Sequence, residues 1–177
     1  MIAADTALPI TEMMATLTDP RSLFALAVES APLRAALLSG VKCLRPTYEV
    51  GGQVGGISLF CQWELAEKNG WTARIHAFNR DDPDDPHNHA WEWRSLVLET
   101  GYWDIGADGT RTWRAPGDVI VEDGTRFHRV ALESGQRAWT LFLHGPKVRA
   151  WGFLADDGGV VPLDRYVSRA GGAAGQK

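Results

Sequence analysis

The sequence predicts one domain with an all-β body and a short helical segment at its N-terminus. Three observations lead to this fold class. The chain has 177 residues, an ordinary size for a single core. All eight Trp lie at or after Trp63, whereas residues 1–45 hold a single aromatic residue, Phe24, and are rich in Ala and Leu. From Pro46 onward, short alternating segments are separated by turn residues.

Two helices are predicted within residues 1–45. Asp19 followed by Pro20 is typical of an N-cap with proline at the first helical position. Ser30 and Pro32 indicate a second helix start. We expect this segment to pack on the body, because about 40 residues rarely sustain a core alone.

The body, residues 46–167, is predicted to be an antiparallel sandwich, a jelly roll or a small barrel. Asp-Gly and Ser-Gly pairs between its segments supply the positive φ that tight hairpins need. Strands are predicted near 46–50, 54–63, 71–79, 91–99, 101–105, 110–114, 117–122, 126–132, 137–144, 147–153 and 160–166. The last residues, 168–177, are small and polar and are predicted to be a disordered tail.

Charge and composition argue against several classes of function. The formal net charge of -4 is unsuited to sequence-independent nucleic-acid binding. No apolar run approaches the roughly 18–20 residues that span a bilayer. Asp5 and Glu12, with no early Lys or Arg, do not fit a signal peptide. We therefore expect a cytoplasmic protein with no nucleic-acid or membrane partner, in which Cys43 and Cys61 are reduced thiols.

The strongest local signal is the pair His87 and His89. Residues two apart on a strand point to the same face, so this pair presents two imidazoles as neighbouring ligands for a transition metal. A His-x-His pair alone is common by chance, but the surrounding sequence strengthens the prediction of a metal site here. A predicted strand, 91–99, follows, and a third histidine, His128, lies in a later strand.

These residues resemble the two sequence motifs of the cupin superfamily, whose fold is a jelly-roll barrel. Six residues match: His87, His89 and Gly101 the first motif, and Gly117, Gly124 and His128 the second, with one extra residue before the last histidine. The resemblance covers roughly residues 46–155. It implies an all-β, cupin-type jelly-roll barrel with the short N-terminal α-helical segment packed on it.

The sequence departs from the first motif where that motif has a metal-binding glutamate. The glutamate would fall at Trp93 or Arg94. Glu92 is near, but it lies three residues from His89 and so points to the other face of a regular strand; only a bulge would make it a fourth ligand. The metal ligands that the resemblance implies are His87, His89 and His128.

Three neutral imidazoles leave a divalent metal its full positive charge, which favours an anionic ligand in the open positions. Three-His Fe(II) cupins, of which the thiol dioxygenases are the best known, resemble this arrangement. The resemblance implies an Fe(II) dioxygenase that acts with O2 on a small carboxylate or thiol, with Zn, Mn or Ni as alternative metals. Two other functions stay open: a non-redox lyase, isomerase or cyclase with Zn or no metal, and a non-catalytic ligand-binding cupin.

Four further residues are predicted near the site. Arg74 and His76 share one face of the strand at 71–79. If that face is interior, Arg74 would bind a substrate carboxylate and His76 would relay protons. Arg94 would clamp an anionic substrate, unless it faces outward. Tyr102 would donate a hydrogen bond near bound oxygen, with simple strand packing as the alternative.

The remaining signals have structural explanations or rest on analogy. His144, just before a Gly-Pro pair, is expected to pack at the barrel rim. Trp91 and Trp93 share the parity of the histidines and are candidates for pocket walls. The acidic segment 79–86 is expected to be a stiff, solvated turn. A homodimer is expected by analogy with other cupins.

Overall fold

The computed structural model describes residues 19–50, 59–82 and 85–166. Helices α1 (Pro20–Glu29) and α2 (Ala31–Lys42) come first. The strands that follow are β1 (Tyr48–Val50), β2 (Phe60–Lys68), β3 (Trp71–Phe78), β4 (Trp93–Glu99), β5 (Tyr102–Gly106), β6 (Arg111–Arg114), β7 (Val119–Glu122), β8 (His128–Ala131), β9 (Ala138–His144), β10 (Gly152–Leu154) and β11 (Val160–Pro162). The predicted all-β body with an N-terminal helical segment is confirmed.

The two helices begin where the sequence predicts. The Asp19 carboxylate accepts hydrogen bonds from the backbone N–H groups of the first turn of α1, and the Ser30 hydroxyl accepts one from the N–H of Leu33 in α2. Arg34 in α2 donates to the backbone carbonyls of Ala27 and Val28, which satisfies acceptors at the end of α1. The caps and this arginine therefore fix the bend between the helices.

The strands form two main antiparallel sheets and a small hairpin. The larger sheet has the order β1-β2-β3-β9-β4-β7, the second has the order β6-β5-β8, and β10 pairs with β11. Neighbouring strands in the larger sheet are often distant in sequence, as β3, β9 and β4 are, so the chain crosses between the sheets as it does in a jelly roll. Isolated bridges join His87 to His128 and to Phe153 and connect β8 with β10.

The core has two layers because the central strands of the larger sheet are covered on both faces. The outer layer packs Leu23, Phe24 and Leu37 of the helices on Ile75 and Leu141. The inner layer fills the space between the sheets with Trp93, Val97, Tyr102, Val130 and Phe142, among others. Every residue of β9 is buried, so this strand is an almost continuous apolar run rather than an alternating one.

Three predicted strands differ from the structure by more than two residues at a boundary. Strand β2 runs from Phe60 to Lys68 rather than over 54–63, because a bulge after Glu64 lets it continue. The predicted strand 147–153 is formed only from Gly152, since the N–H groups of Val148 and Arg149 both donate to the Ala90 carbonyl. The predicted strand 160–166 gives way to a helical turn at 163–166. Positions 54–58 and the tail 168–177 lie outside the described residues.

Within the described part of the chain, no single helix is long and apolar enough to cross a bilayer. Helices α1 and α2 meet that length and composition only when they are counted together across a bend of 119°.

Candidate metal centre

Three histidines converge at one end of the barrel interior. One ring nitrogen from each of His87, His89 and His128 lies within 4.8 Å of the other two. The backbone brings two of them together, because the N–H of His87 donates to the carbonyl of His128 at 2.9 Å and the N–H of His128 donates back at 3.0 Å. Among the described residues, no carboxylate oxygen lies within 4.8 Å of all three of these nitrogens, although Asp82 Oδ2 lies 3.6 Å from Nδ1 of His87.

The segment that carries His87 and His89 is held on both sides without forming a regular strand. The N–H of Asn88 donates to the carbonyl of Gly152 at 3.1 Å, and the N–H of Gly152 donates to the Asn88 side-chain oxygen at 2.8 Å. The N–H of His89 donates to the carbonyl of Gly124 at 3.0 Å. The two histidines are therefore fixed by their neighbours, and the regular strand starts only at Trp93.

Gly124 lies where no side chain fits. Its φ is +85°, and a Cβ there would clash with the Trp91 carbonyl and lie 3.0 Å from the His89 carbonyl. We expect Gly124→Ala to lower the free energy of unfolding by about 3 kcal/mol or more, because strain in φ of about 1–2 kcal/mol adds to a backbone clash.

Gly135→Ala is the matched control, since Gly135 has a φ of +74° but open space around it. Its cost is expected to stay near about 1–2 kcal/mol, the φ strain alone. Urea unfolding of both variants measures the difference. Equal losses would contradict the tight approach of Gly124 to the segment that carries His89.

A buried carboxylate that the sequence analysis missed supports His128. Asp104 is 1% exposed, and its Oδ1 accepts a hydrogen bond from His128 Nδ1 at 2.9 Å. Arg114 Nη2 and Arg126 Nη1 each donate to Asp104 Oδ2 at 2.9 Å. Burial opposes ionisation of Asp104, but the hydrogen bonds from His128 and Arg126 outweigh it and hold the pKa of this carboxyl well below its usual range.

The ionised Asp104 determines which nitrogen of His128 is free. Since Nδ1 of His128 donates to the carboxylate, Nε2 is the ring nitrogen that can face a metal. That Nε2 lies 3.0 Å from Nε2 of His89. A carboxylate on the far nitrogen of an imidazole is the usual support of a metal-ligating histidine.

The donor set fits a divalent transition metal. Burial lowers the pKa of His87 to about 4 and that of His89 well below its usual value, so both rings are neutral near pH 7. Two nitrogen atoms that bind one metal at about 2.1 Å, at right angles to each other, lie about 3 Å apart. The Nε2 atoms of His89 and His128 lie 3.0 Å apart, which matches this distance. The residues present could hold the ion without large rearrangement.

The motif's glutamate would fall at Trp93 or Arg94, and these two residues point to opposite faces of β4. Trp93 is buried, and its ring stacks on His128 with 5.5 Å between centroids and lies 5.2 Å from that of His89. Arg94 is exposed on the opposite face of β4. The prediction that Arg94 clamps a substrate beside the metal is therefore wrong, because strand alternation turns its side chain away. Glu92 is exposed and does not join the cluster.

The predicted face of β3 is interior. The ring of His76 is 4.8 Å from that of Phe142, which in turn is 6.1 Å from that of His89. Arg74 shares this face and forms an ion pair with Glu64 at 3.2 Å. Tyr102 is buried in the inner layer, and burial raises the pKa of its phenol, which stays protonated. His76 and Tyr102 thus line the barrel but do not join the histidine cluster.

His76 makes stability depend on pH. Burial, helped by Arg74, lowers its pKa to about 3 from the ordinary 6.5. The unfolded chain takes up this proton as the pH falls through 6.5, whereas the folded chain does so only near 3, so stability is lost as the pH falls across this window. Between pH 7 and pH 5 the loss due to His76 is expected to be about 2 kcal/mol.

His76→Phe should remove this part of the pH dependence, because the new ring packs among Phe60, Phe78 and Phe142 and cannot titrate. Urea unfolding at both pH values, with a chelator present, measures it for the two proteins. The same loss of stability in the variant and the parent would contradict a buried, neutral His76.

Aromatic rings surround the histidines on the remaining sides. The rings of Trp91 and Trp151 lie 6.5 Å and 6.1 Å from that of His89, and Trp91 stacks on His144 at 4.5 Å. Among the described groups, neither indole N–H of this pair has a hydrogen-bond partner. Trp91, Trp93 and Trp151 therefore form an aromatic wall beside His89.

No protein-family model matches this chain, and no curated protein does. Solved structures do match. The polyketide cyclase RemF from Streptomyces resistomycificus is 17% identical, with 63% of this chain and 79% of that chain covered and a TM-score of 0.51. A cupin 2 conserved barrel domain protein from Rhodopseudomonas palustris is 12% identical, with 63% and 77% covered and a TM-score of 0.50.

A third match, to DMSP lyases, covers 49% of this chain and 47% of that chain, at 15% identity and a TM-score of 0.42. This chain thus spans about half the length of that protein. At these identities the likeness to RemF and to the Rhodopseudomonas palustris protein establishes the fold alone. The barrel, with a cluster of three histidines inside it, has the cupin fold.

Proposed function

We propose that this protein is a metal-dependent enzyme that acts on a small anionic molecule, and that it is an Fe(II) dioxygenase. His87, His89 and His128 would hold the metal. The substrate would bind through a carboxylate or thiolate, and O2 would be the second substrate. Bound Fe(II) would supply the redox and O2 chemistry that side chains lack.

This proposal rests on one observation: among the described residues, the cluster of His87, His89 and His128 includes no carboxylate. The buried carboxylate of Asp104 is already neutralised by Arg114 and Arg126 and faces the outer nitrogen of His128. A divalent ion held by three neutral imidazoles keeps its charge, so an anionic substrate gains the full attraction in a site walled by aromatic rings.

The surrounding residues have separate tasks in this proposal. Asp104 holds His128 in the tautomer that presents Nε2. Trp93 would hold the rings of His128 and His89 in place by packing against both. Arg74 keeps a buried Nε–H without a partner in the described part of the chain, which supports a role in binding a substrate carboxylate.

One observation favours a non-redox lyase, isomerase or cyclase as the second candidate. Two buried imidazoles, those of His76 and His144, lie on the interior face outside the cluster. Neutral imidazoles can act as general bases without any change in the oxidation state of a metal. RemF, which shares the fold, is named a polyketide cyclase.

Oxygen consumption separates these candidates. Protein purified without oxygen and loaded with Fe(II) would be screened with small thiols and carboxylates in an oxygen electrode, with ¹⁸O2 to trace oxygen into the product. Substrate-dependent uptake that is lost in His89→Ala and kept in the exposed variant Arg94→Ala would support the dioxygenase. Turnover without O2 would support the second candidate, and affinity without turnover would indicate a ligand-binding protein.

A further inference from the structure

The inward faces of β3 and β9 carry unsatisfied polar atoms beyond the metal centre. Four of these buried atoms have no hydrogen-bond partner among the residues that the structure describes: Arg74 Nε, His76 Nε2, Thr140 Oγ1 and His144 Nε2. The two strands are paired, with His76 opposite Thr140 and Thr72 opposite His144, so these atoms form one strip. Buried polar atoms are nearly always satisfied, and a strip of unsatisfied ones inside a barrel points to a bound molecule.

His144 is the member of this strip whose role is best determined. Its Nδ1 lies 2.9 Å from the carbonyl oxygen of Gly145. A carbonyl can only accept, so Nδ1 must carry the hydrogen and Nε2 the lone pair. Burial lowers the pKa of His144, which keeps the ring neutral. Its Nε2 can therefore only accept a hydrogen bond.

The position of His144 connects the strip with the metal centre. His144 is 8% exposed, and its ring stacks on that of Trp91 with 4.5 Å between the centroids. Trp91 in turn lies 6.5 Å from His89, and Phe142 lies 5.9 Å from His144 and 6.1 Å from His89. Trp91 and Phe142 each contact both His144 and His89, so a single ring lies between His144 and the histidine cluster.

We propose that His144 Nε2 accepts a hydrogen bond from a hydroxyl or thiol of the substrate whose anionic group is bound at the metal. The inference rests on the proposed function, since the metal is what anchors the other end. It defines the substrate class as a small carboxylate with a donor group away from the carboxylate. It also replaces the expectation that His144 only packs at the barrel rim.

The tautomer of His144 is the first test. Long-range ¹H–¹⁵N NMR of protein labelled at histidine distinguishes the two ring nitrogens, and His144→Asn identifies the signals. We expect the signals of a neutral ring protonated at Nδ1. A ring protonated at Nε2 would overturn the inference, whatever the metal does.

The second test measures binding in the Co(II)-loaded protein, whose visible absorption changes when an anion enters the coordination sphere. The probes are matched carboxylates with two to five carbons, each with and without a terminal hydroxyl. At one chain length the hydroxyl should strengthen binding about threefold to tenfold, the effect of one hydrogen bond. Carboxylate binding with no hydroxyl preference at any length would overturn the inference and leave the proposed function intact.

Two variants show whether Nε2 is the acceptor. In His144→Asn the amide can still donate to the Gly145 carbonyl but has no atom at the place of Nε2, so the hydroxyl preference should disappear. His144→Gln places an oxygen near Nε2 and should keep part of it. If His144 had only a structural role, His144→Asn would keep more of the hydroxyl preference than His144→Gln. If no carboxylate changes the spectrum but a small thiol does, the inference fails and the proposed function stands; if neither changes it, both fail.

Discussion

Asp104→Ala is expected to lower the free energy of unfolding by about 3–5 kcal/mol. Asp104 is 1% exposed and accepts hydrogen bonds from His128, Arg114 and Arg126. Its removal would leave two partly buried guanidinium groups with no countercharge and would leave the Nδ1–H of His128 unpaired. Breaking a buried ion pair from one side is costly because the remaining charges stay away from water.

Urea unfolding measures this loss, with Asp156→Ala as the control because Asp156 is exposed. The control should change stability by no more than about 0.5 kcal/mol. Asp104→Asn keeps the volume and an acceptor, so it should fold better than the alanine variant yet bind metal about 10–100-fold more weakly. An alanine variant as stable as the control would contradict the network around Asp104.

Loss of a residue that supports a metal ligand weakens metal binding about 10–100-fold. His128→Asn removes a ligand itself and is expected to weaken metal binding by more than that. The asparagine amide can take the place of Nδ1 and donate to Asp104, so the buried network is kept while the ligand atom Nε2 is lost. Loss of metal from this variant would therefore report the ligand and not a collapse of the fold.

Elemental analysis of the parent and the variant, both purified without oxygen and loaded with Fe(II), measures the metal content. Arg94→Ala is the control, because its side chain is exposed on the outer face of β4. It should keep the metal content of the parent. A His128→Asn protein that holds as much iron as the parent would show that the ion lies elsewhere.

The site residues that share a short sequence motif could be predicted, and those that depend on distant contacts could not. His87 and His89 are two positions apart, and His128 matches a second motif, so the sequence was enough to select them. Asp104 was missed because its partner lies 24 positions away. Its signal was present, since it shares the inward parity of Tyr102 on β5, where a carboxylate needs buried partners.

Parity also bears on where the prediction was ambiguous. The spacing of the motif placed its glutamate at Trp93 or Arg94. Parity counted from His89 favoured Trp93 as the residue that faces the histidines, and the structure shows that it does. His144 was expected at the rim because of the Gly-Pro pair after it; it is the last residue of β9, and its place opposite Thr72 of β3 lies on the face that points into the barrel. The homodimer and the cytoplasmic location stay predictions.

The most direct test of the metal centre is anomalous diffraction at the iron absorption edge from crystals loaded with Fe(II) without oxygen. The account predicts one strong peak at about 2.0–2.2 Å from one ring nitrogen of each of His87, His89 and His128, with no carboxylate in contact. A peak at another site, or a well-loaded protein without a peak at these three histidines, would contradict the account.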